Sequence, residues 1–483
     1  MDNKRLFLRL ILKMDDTDNF IQAGVTILKT LAEAYSHPEN YKVLSWNDEL
    51  YHRVTKPEPL PFHGQNMDET VAEAIQTIFR GYCNVSHPQY YGYISPRPLP
   101  VTVLGDLLAM GLNQTPGAWR AGPAATAIET ETLHWLSEFI GYQTPSGNLP
   151  NGIVTNGGTM ANASAIKLAR DTLLGREVQS KGVWCANKPT IYMSREGHFS
   201  VWKSVDFLGL GRESLRLIEV DEQGCIDLNA LEDTIQRDLR QGYQPICLIG
   251  VAGTSATGAV DALDTLADVA AHHNMWFHVD AASGGAYANL AETRQFFTGI
   301  ERADSVTLDP CKWFFVSFGI GCLLVKNGEE LRKSFYATGH YWEETDELDI
   351  FQMSFPGTRQ WRTLGLWLAF RHLGEQGYKR ILSHNLKVTH DLAATVVATD
   401  VLELLHKPVL PVCCFRVDQI KSPDTVTMAI QRFLVASNHY VTLLDWRGHH
   451  YLRAAISNFA TESSHVYELV QTILTYLDTN YDT

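Results

Sequence analysis

The chain has no Cys-x-x-Cys, no block of lysine and arginine, no internal repeat and no apolar run of membrane-spanning length. Each absence removes a class of function. Eight cysteines in 483 residues lie scattered at 83, 185, 225, 247, 311, 322, 413 and 414, with no metal-ligand spacing. Several sit in apolar runs, such as Ile246-Cys-Leu-Ile249 and Val412-Cys-Cys-Phe415, where cysteine acts as a small hydrophobe. Neither a disulfide framework nor a structural zinc module fits; a reduced, cytoplasmic protein does. With 40 basic against 54 acidic residues and a formal charge of −14, nucleic acid and anionic membrane are poor partners. Leu6-Phe-Leu-Arg-Leu-Ile-Leu-Lys-Met14 has a faint look of a secretory core. Arg9 and Lys13 interrupt it and no small-residue cleavage site follows, so an amphipathic lead-in helix is expected.

What is present is an ordinary globular composition, 45% hydrophobic and 19% charged, in a chain long enough for two or three domains. Residues 1–104 read as an N-terminal helical arm. Apolar residues recur at three and four through Phe20–Ala34, and the prolines of His87-Pro-Gln-Tyr-Tyr-Gly-Tyr-Ile-Ser-Pro-Arg-Pro98 forbid a helix there. Residues 105–365 alternate helices with short apolar runs at 152–155, 189–193, 246–252, 276–280, 305–308 and 321–326. Short apolar strands separated by helices predict a large α/β domain around a mostly parallel sheet buried on both faces. Residues 366–483 predict a small α+β domain, with strands at 412–417 and 451–455 around a helix at 424–437.

The chemistry gathers in the large domain. Lys312 lies in Asp309-Pro-Cys-Lys-Trp313, and Asp280 closes the strand in His278-Val-Asp-Ala-Ala-Ser-Gly-Gly285. A lysine among apolar neighbours is costly unless it is paired, neutralised or used covalently; alternatively it is a strand-end lysine that snorkels to solvent. An amine to hold an aldehyde and a carboxylate to hold a ring nitrogen are the two groups pyridoxal phosphate requires. Asp280 at the carboxyl end of a parallel strand is where such sheets bind ligands, although an aspartate there also serves as a plain helix cap. Asn156-Gly-Gly-Thr-Met-Ala-Asn162 joins a strand to a helix. Its glycines and Thr159 offer a phosphate N–H groups at a helix N-terminus, or form an ordinary helix-start turn. His198, after the strand at 189–193, is a flat partner for a cofactor ring or a structural histidine. The small-residue loop Gly253-Thr-Ser-Ala-Thr-Gly-Ala259 follows the strand 246–252.

In their order, these motifs resemble the group II pyridoxal-phosphate-dependent amino acid decarboxylases, which include aromatic-amino-acid, glutamate and diaminobutyrate decarboxylases. The resemblance runs from about residue 18 to the C-terminus and rests on His87-Pro…Tyr93, Trp119…Pro123-Ala-Ala-Thr…Glu129, Gly157-Gly-Thr, His198, Gly253-Thr254, His278-Val-Asp-Ala-Ala and Asp309-Pro-Cys-Lys-Trp. It implies a fold-type I transferase-like architecture, the arm as a dimerisation segment, and a homodimer with shared active sites. It implies that Lys312 holds the cofactor aldehyde, Asp280 the pyridine nitrogen and Thr254 the side of the ring oxygen. His198 would stack on the ring with Ala282 beneath it, while Gly157, Gly158, Thr159 and Asp309 surround the phosphate. Tyr341, in Thr338-Gly-His-Tyr-Trp342, aligns with the loop tyrosine that returns a proton to the substrate carbon. A solvent-facing tyrosine is the alternative.

Two departures bear on specificity. Cys311 stands where the family usually has histidine, and a thiol is smaller and less basic. That keeps an oxidative decarboxylase–deaminase or a carbon–carbon lyase open beside simple decarboxylation. Gly117 replaces a bulky aromatic, and Arg120 follows Trp119. Arg120 is read as a surface or interface salt bridge, with recognition of an acidic or polar substrate as the alternative. Tyr93 and Trp119 favour an aromatic substrate, or else pack an interface.

Overall fold

The computed structural model describes residues 17–145, 149–185, 187–340, 347–418 and 420–481. Seven strands form the central sheet: β1 (Gly152–Thr155), β2 (Pro189–Ser194), β3 (Leu215–Ile218), β4 (Gln244–Val251), β5 (Trp276–Asp280), β6 (Ser305–Leu308) and β7 (Gly321–Val325). Across the sheet they run β1-β7-β6-β5-β4-β2-β3. The pairs from β3 through β6 are parallel, and β7 alone turns antiparallel to both its neighbours. Strands β4 to β7 are almost wholly buried, as their unbroken apolar runs require when helices cover both faces. One face packs Leu248, Phe277, Val279 and Val306, the other Ile191, Ile246, Ile249 and Leu323.

The second sheet is antiparallel in the order β10-β11-β9-β8, built from β8 (Leu402–Leu404), β9 (Val412–Val417), β10 (Thr442–Trp446) and β11 (His449–Ala455). Arg447 and Gly448 connect β10 to β11, both at positive φ (53° and 84°), the conformation that two-residue hairpins demand. The helical segment Thr363–Val397 links the two cores. Its Leu366, Tyr378 and Leu382 pack on the large one, and Leu392 and Val396 on the small one. It breaks at Gly374, where φ 62° and ψ 176° are open to glycine at little cost. The domain boundary expected at 365/366 therefore falls in the first turn of this connecting segment.

Inside the large core, Glu129 from the helix Pro123–Phe139 meets Arg359 at 2.8 Å, both side chains almost fully buried. Arg359 also donates to the Val154 carbonyl of β1 at 3.2 Å. Burial pushes the Glu129 carboxyl up and Arg359 opposes it. Removing one partner strands the other charge away from water. Glu129→Ala is expected to cost about 3–5 kcal/mol in urea unfolding of the holoenzyme. A loss under about 1 kcal/mol would refute this role.

Candidate active site

Every strand of the central sheet that contributes to the cofactor side of the site does so at its carboxyl end or in the turn beyond it, the crevice of an open α/β sheet. Asp280 is the last residue of β5 and is 5% exposed. Its Oδ2 accepts from Asn162 Nδ2 at 2.8 Å and its Oδ1 from the Ala282 N–H at 3.2 Å. Asn162 lies one turn into the helix Gly158–Leu173, which follows β1 through Gly157 at φ 78°. Gly157 brings no side-chain cap, so the first N–H groups of this helix remain open to an anion. A Cβ on Gly158 would stand 3.4 Å from the Ala282 methyl and 3.6 Å from Asp309 Oδ2, so these three residues enclose one corner.

Lys312 follows β6 in a tight turn. Its Nζ donates to Ser283 Oγ at 3.1 Å and lies 3.8 Å from Asp309 Oδ2. Cys311 Sγ donates to the other oxygen, Oδ1, at 2.9 Å. Burial pushes the Asp309 carboxyl up, opposed first by Lys312, and pushes the Cys311 thiol up as well. The thiol is therefore held in its protonated, donor form. Phe315, three residues on, is fully buried at φ 55°, a strained value for a bulky side chain. Its carbonyl accepts from the Leu99 N–H at 2.8 Å, and the Phe314 carbonyl from Tyr378 Oη at 3.1 Å. These clamps pay for the strain and fix the direction in which Lys312 leaves the turn.

His198 Nδ1 accepts from the Ser200 N–H at 3.2 Å, which leaves Nε2 as the N–H face of the ring. Burial lowers its pKa, with Asp280 opposing. Thr254 is buried, and its hydroxyl closes its own turn, accepting from the Thr257 and Ala259 N–H groups at 3.2 Å each. Lys312 and His198 open together into a cleft of about 1020 Å³ that also meets Tyr93, Phe199, Trp202, Tyr440 and Arg453. Tyr93, 59% exposed, stands at its rim. Trp119 and Arg120 do not line it: the Trp119 N–H donates to Asp349 at 3.1 Å, and Arg120 pairs with Glu347 at 3.1 Å. Tyr341 lies outside the described residues. Three polar contributors carried no role in the sequence reading: Asn162, Ser283 and Arg453. Asn162 closes the Gly-Gly-Thr motif and Ser283 lies three residues past Asp280, so proximity to known motifs was their one signal. Arg453 gave none.

An open helix N-terminus, an amine and a buried carboxylate beside one cleft fit pyridoxal phosphate, and together with the seven-stranded sheet they define a fold-type I pyridoxal-phosphate enzyme. Residues 50–418 match the pyridoxal-dependent decarboxylase conserved domain, about three quarters of the chain. The chain is 29% identical over 426 residues to an aromatic-L-amino-acid decarboxylase of Bacillus atrophaeus, covering 86% of each. It is also 29% identical to an L-2,4-diaminobutyrate decarboxylase of Acinetobacter baumannii, over 73% of this chain and 72% of the relative. Tryptophan decarboxylase of Catharanthus roseus, solved with L-tryptophan, superposes with a TM-score of 0.87 at 25% identity, over 96% of this chain and 99% of that one. The chain belongs to the pyridoxal-dependent decarboxylase family. It is a pyridoxal-phosphate-dependent enzyme that releases CO₂ from an amino acid. Among the described residues no helix is long and apolar enough to cross a membrane.

Proposed function

We propose that the substrate is an aromatic L-amino acid and that the product is its amine. The observation that carries this is the aromatic lining of the cleft that Lys312 enters, supplied by Tyr93, Phe199, Trp202 and Tyr440. Such rings favour a flat apolar side chain through stacked and edge-on contacts. The aromatic substrates in the names of the Bacillus and Catharanthus relatives support the same reading.

When bound, the cofactor supplies an electron-withdrawing ring that takes up the electron pair left behind by CO₂. The chain's own residues then divide the remaining work. Lys312 would hold the aldehyde end of the cofactor. Asp280 would keep a proton on its ring nitrogen. His198 would stack on the ring, with Ala282 beneath it. The N–H groups of Gly158 and Thr159, with Gly157 and Asp309 beside them, hold the phosphate, and Thr254 flanks the ring oxygen. Tyr341 returns a proton to the substrate carbon as general acid.

A second reading has one observation in its favour. Arg453, 8% exposed, lines the cleft, and its hydrogen-bond partners are neutral oxygens: the Ser255, Ala256 and Gly92 carbonyls and Thr442 Oγ1. A buried guanidinium without a carboxylate attracts an anion, which suits a substrate with an acidic side chain. A panel of common L-amino acids, assayed with added cofactor for CO₂, amine and peroxide, separates the readings. The aromatic reading expects amine and CO₂ in equal amounts from aromatic substrates, and it falls if acidic ones turn over faster. Arg453→Gln is expected to lower turnover of any acidic substrate about 10- to 100-fold, against a few-fold for aromatic ones.

We further propose a cytoplasmic homodimer. Leu104, Leu107, Leu108, Met110 and Leu112 on the helix Pro100–Leu112, and Phe20 and Ile21 on the helix Thr17–Ser36, are all at least 50% exposed in the single chain. A second copy would cover such faces. Cys83, Cys225, Cys247, Cys311, Cys322, Cys413 and Cys414 are free thiols, in keeping with a reducing compartment.

A further inference from the structure

Behind Asp280 runs a line of buried polar side chains that the catalytic reading does not use. Trp276 Nε1 lies 2.8 Å from Ser305 Oγ, and Ser305 Oγ lies 2.9 Å from His278 Nδ1. His278 Nε2 lies 3.1 Å from Asn162 Oδ1, with Thr307 Oγ1 at 3.4 Å as a second neighbour. Asn162 Nδ2 closes the line at 2.8 Å from Asp280 Oδ2 and also reaches Ser200 Oγ at 3.1 Å. His278, Ser305 and Asn162 are at most 1% exposed, and Trp276 is 7% exposed. Strand pairing sets the spacing, because His278 stands directly opposite Ser305 across β5 and β6.

His278 Nδ1 also lies 3.2 Å from the Ser305 carbonyl, so the proton arrangement along this line is set from its Asp280 end. Trp276 is a donor only, so Ser305 Oγ accepts from it and keeps its own hydrogen for His278 Nδ1 where that nitrogen is the acceptor of the ring. An Asn162 amide turned the other way would set its carbonyl oxygen 2.8 Å from a carboxylate oxygen, a repulsive contact. Nδ2 must therefore face Asp280 and Oδ1 must face His278, which fixes the hydrogen on Nε2. Burial depresses the His278 pKa to about 4, so the ring is neutral at neutral pH. The titratable groups that interact with Asp280 from its own and the neighbouring elements are His198, His278 and Asp309.

We propose that Asn162 and His278 are positioning residues for the decarboxylation: a one-way donor relay, Trp276 to Ser305 to His278 to Asn162, aims Asp280 at the cofactor ring nitrogen. The proposal rests on the role given to Asp280 above. The relay leaves Oδ2 an acceptor at every moment of the reaction, so the carboxylate is pinned from behind while its open side meets the ring. A change at one link alters the hydrogen-bond demand on the next member, with Ser200, Thr307 and the Ser305 carbonyl as side contacts of the line.

The test uses holoenzyme carrying ¹⁵N-histidine, with the His278 signal assigned by its loss in His278→Gln. Nitrogen shifts should report the Nε2–H tautomer, unchanged from pH 6 to 8.5. An Nδ1–H ring, or one that gains charge in that range, overturns the relay. Asn162→Leu and the milder Ser305→Ala are then compared with wild type, so that one informative variant remains if the other does not fold. For at least one, cofactor affinity measured by absorbance titration should weaken about tenfold, and kcat should fall about tenfold with KM within twofold. Wild-type affinity and kcat in both would also overturn the relay. Asp280→Asn serves as the reference. If it loses cofactor affinity and turnover while the relay variants do not, the relay fails and the site stands; if it behaves as wild type, the reading of Asp280 itself fails.

Discussion

Lys312→Ala is expected to abolish turnover, by on the order of 10⁴-fold or more, and to remove the visible absorption of bound cofactor. The amine sits at the end of a turn whose backbone is held from both sides by Leu99 and Tyr378. Its Nζ is presented to the cleft by Ser283 Oγ and lies 3.8 Å from Asp309. A lysine spends desolvation energy to stand there, and its neighbours compensate it only partly. Alanine at this position leaves the corner between Gly158, Ala282 and Asp309 intact, so phosphate binding should survive at reduced strength. The checks are an absorption spectrum with added cofactor and a CO₂ assay. A variant with a normal spectrum and measurable turnover would remove Lys312 from the chemistry and, with it, the reading of the cleft.

Asp280→Asn should lower kcat by roughly 10³-fold while the protein remains folded. At an effective dielectric of about 20, an ion pair at ~3 Å is worth roughly 5 kcal/mol before desolvation, and each 1.36 kcal/mol of lost stabilisation is tenfold in rate. Desolvation takes back part of this, which brings the expected loss near three decades. Asparagine nearly matches aspartate in size, and its oxygen can still accept from Asn162. The substitution therefore removes charge while keeping shape. Steady-state kinetics and far-ultraviolet circular dichroism on the same sample separate a chemical loss from unfolding. A loss under about tenfold would show that the carboxylate does not hold the proton on the ring.

The two sheets differ in how openly the sequence announces them. Strands β1, β4, β5, β6 and β7 are short, almost wholly buried runs rich in apolar residues, and the sequence expectation for each falls within two residues of where it lies. The edge strand β3, Leu215-Arg-Leu-Ile218, is half exposed and was not marked; nor was the polar, amphipathic helix Leu228–Arg240 that follows it. In the second sheet, β8 and β10 carry the same mixed exposure and were equally silent. Edge elements bury one face or less, so their composition is set by solvent as much as by the core. In the connection Thr363–Val397, only the backbone reveals the break at Gly374.

The sequence by itself located the candidate site groups, because Lys312, Asp280, His198 and the Gly157-Gly158-Thr159 turn each sit just past a strand end or at a helix start that local patterning can locate. Tertiary structure alone decided what surrounds them. Arg453 reaches the cleft from the second sheet, while Trp119 does not line it and Arg120 pairs with Glu347. Asn162 and His278, over a hundred residues apart, meet behind Asp280. The physical reason is that a strand end or a turn is a property of neighbouring residues. A hydrogen bond between distant side chains depends instead on the register of the sheet and on which helix face is pressed against it.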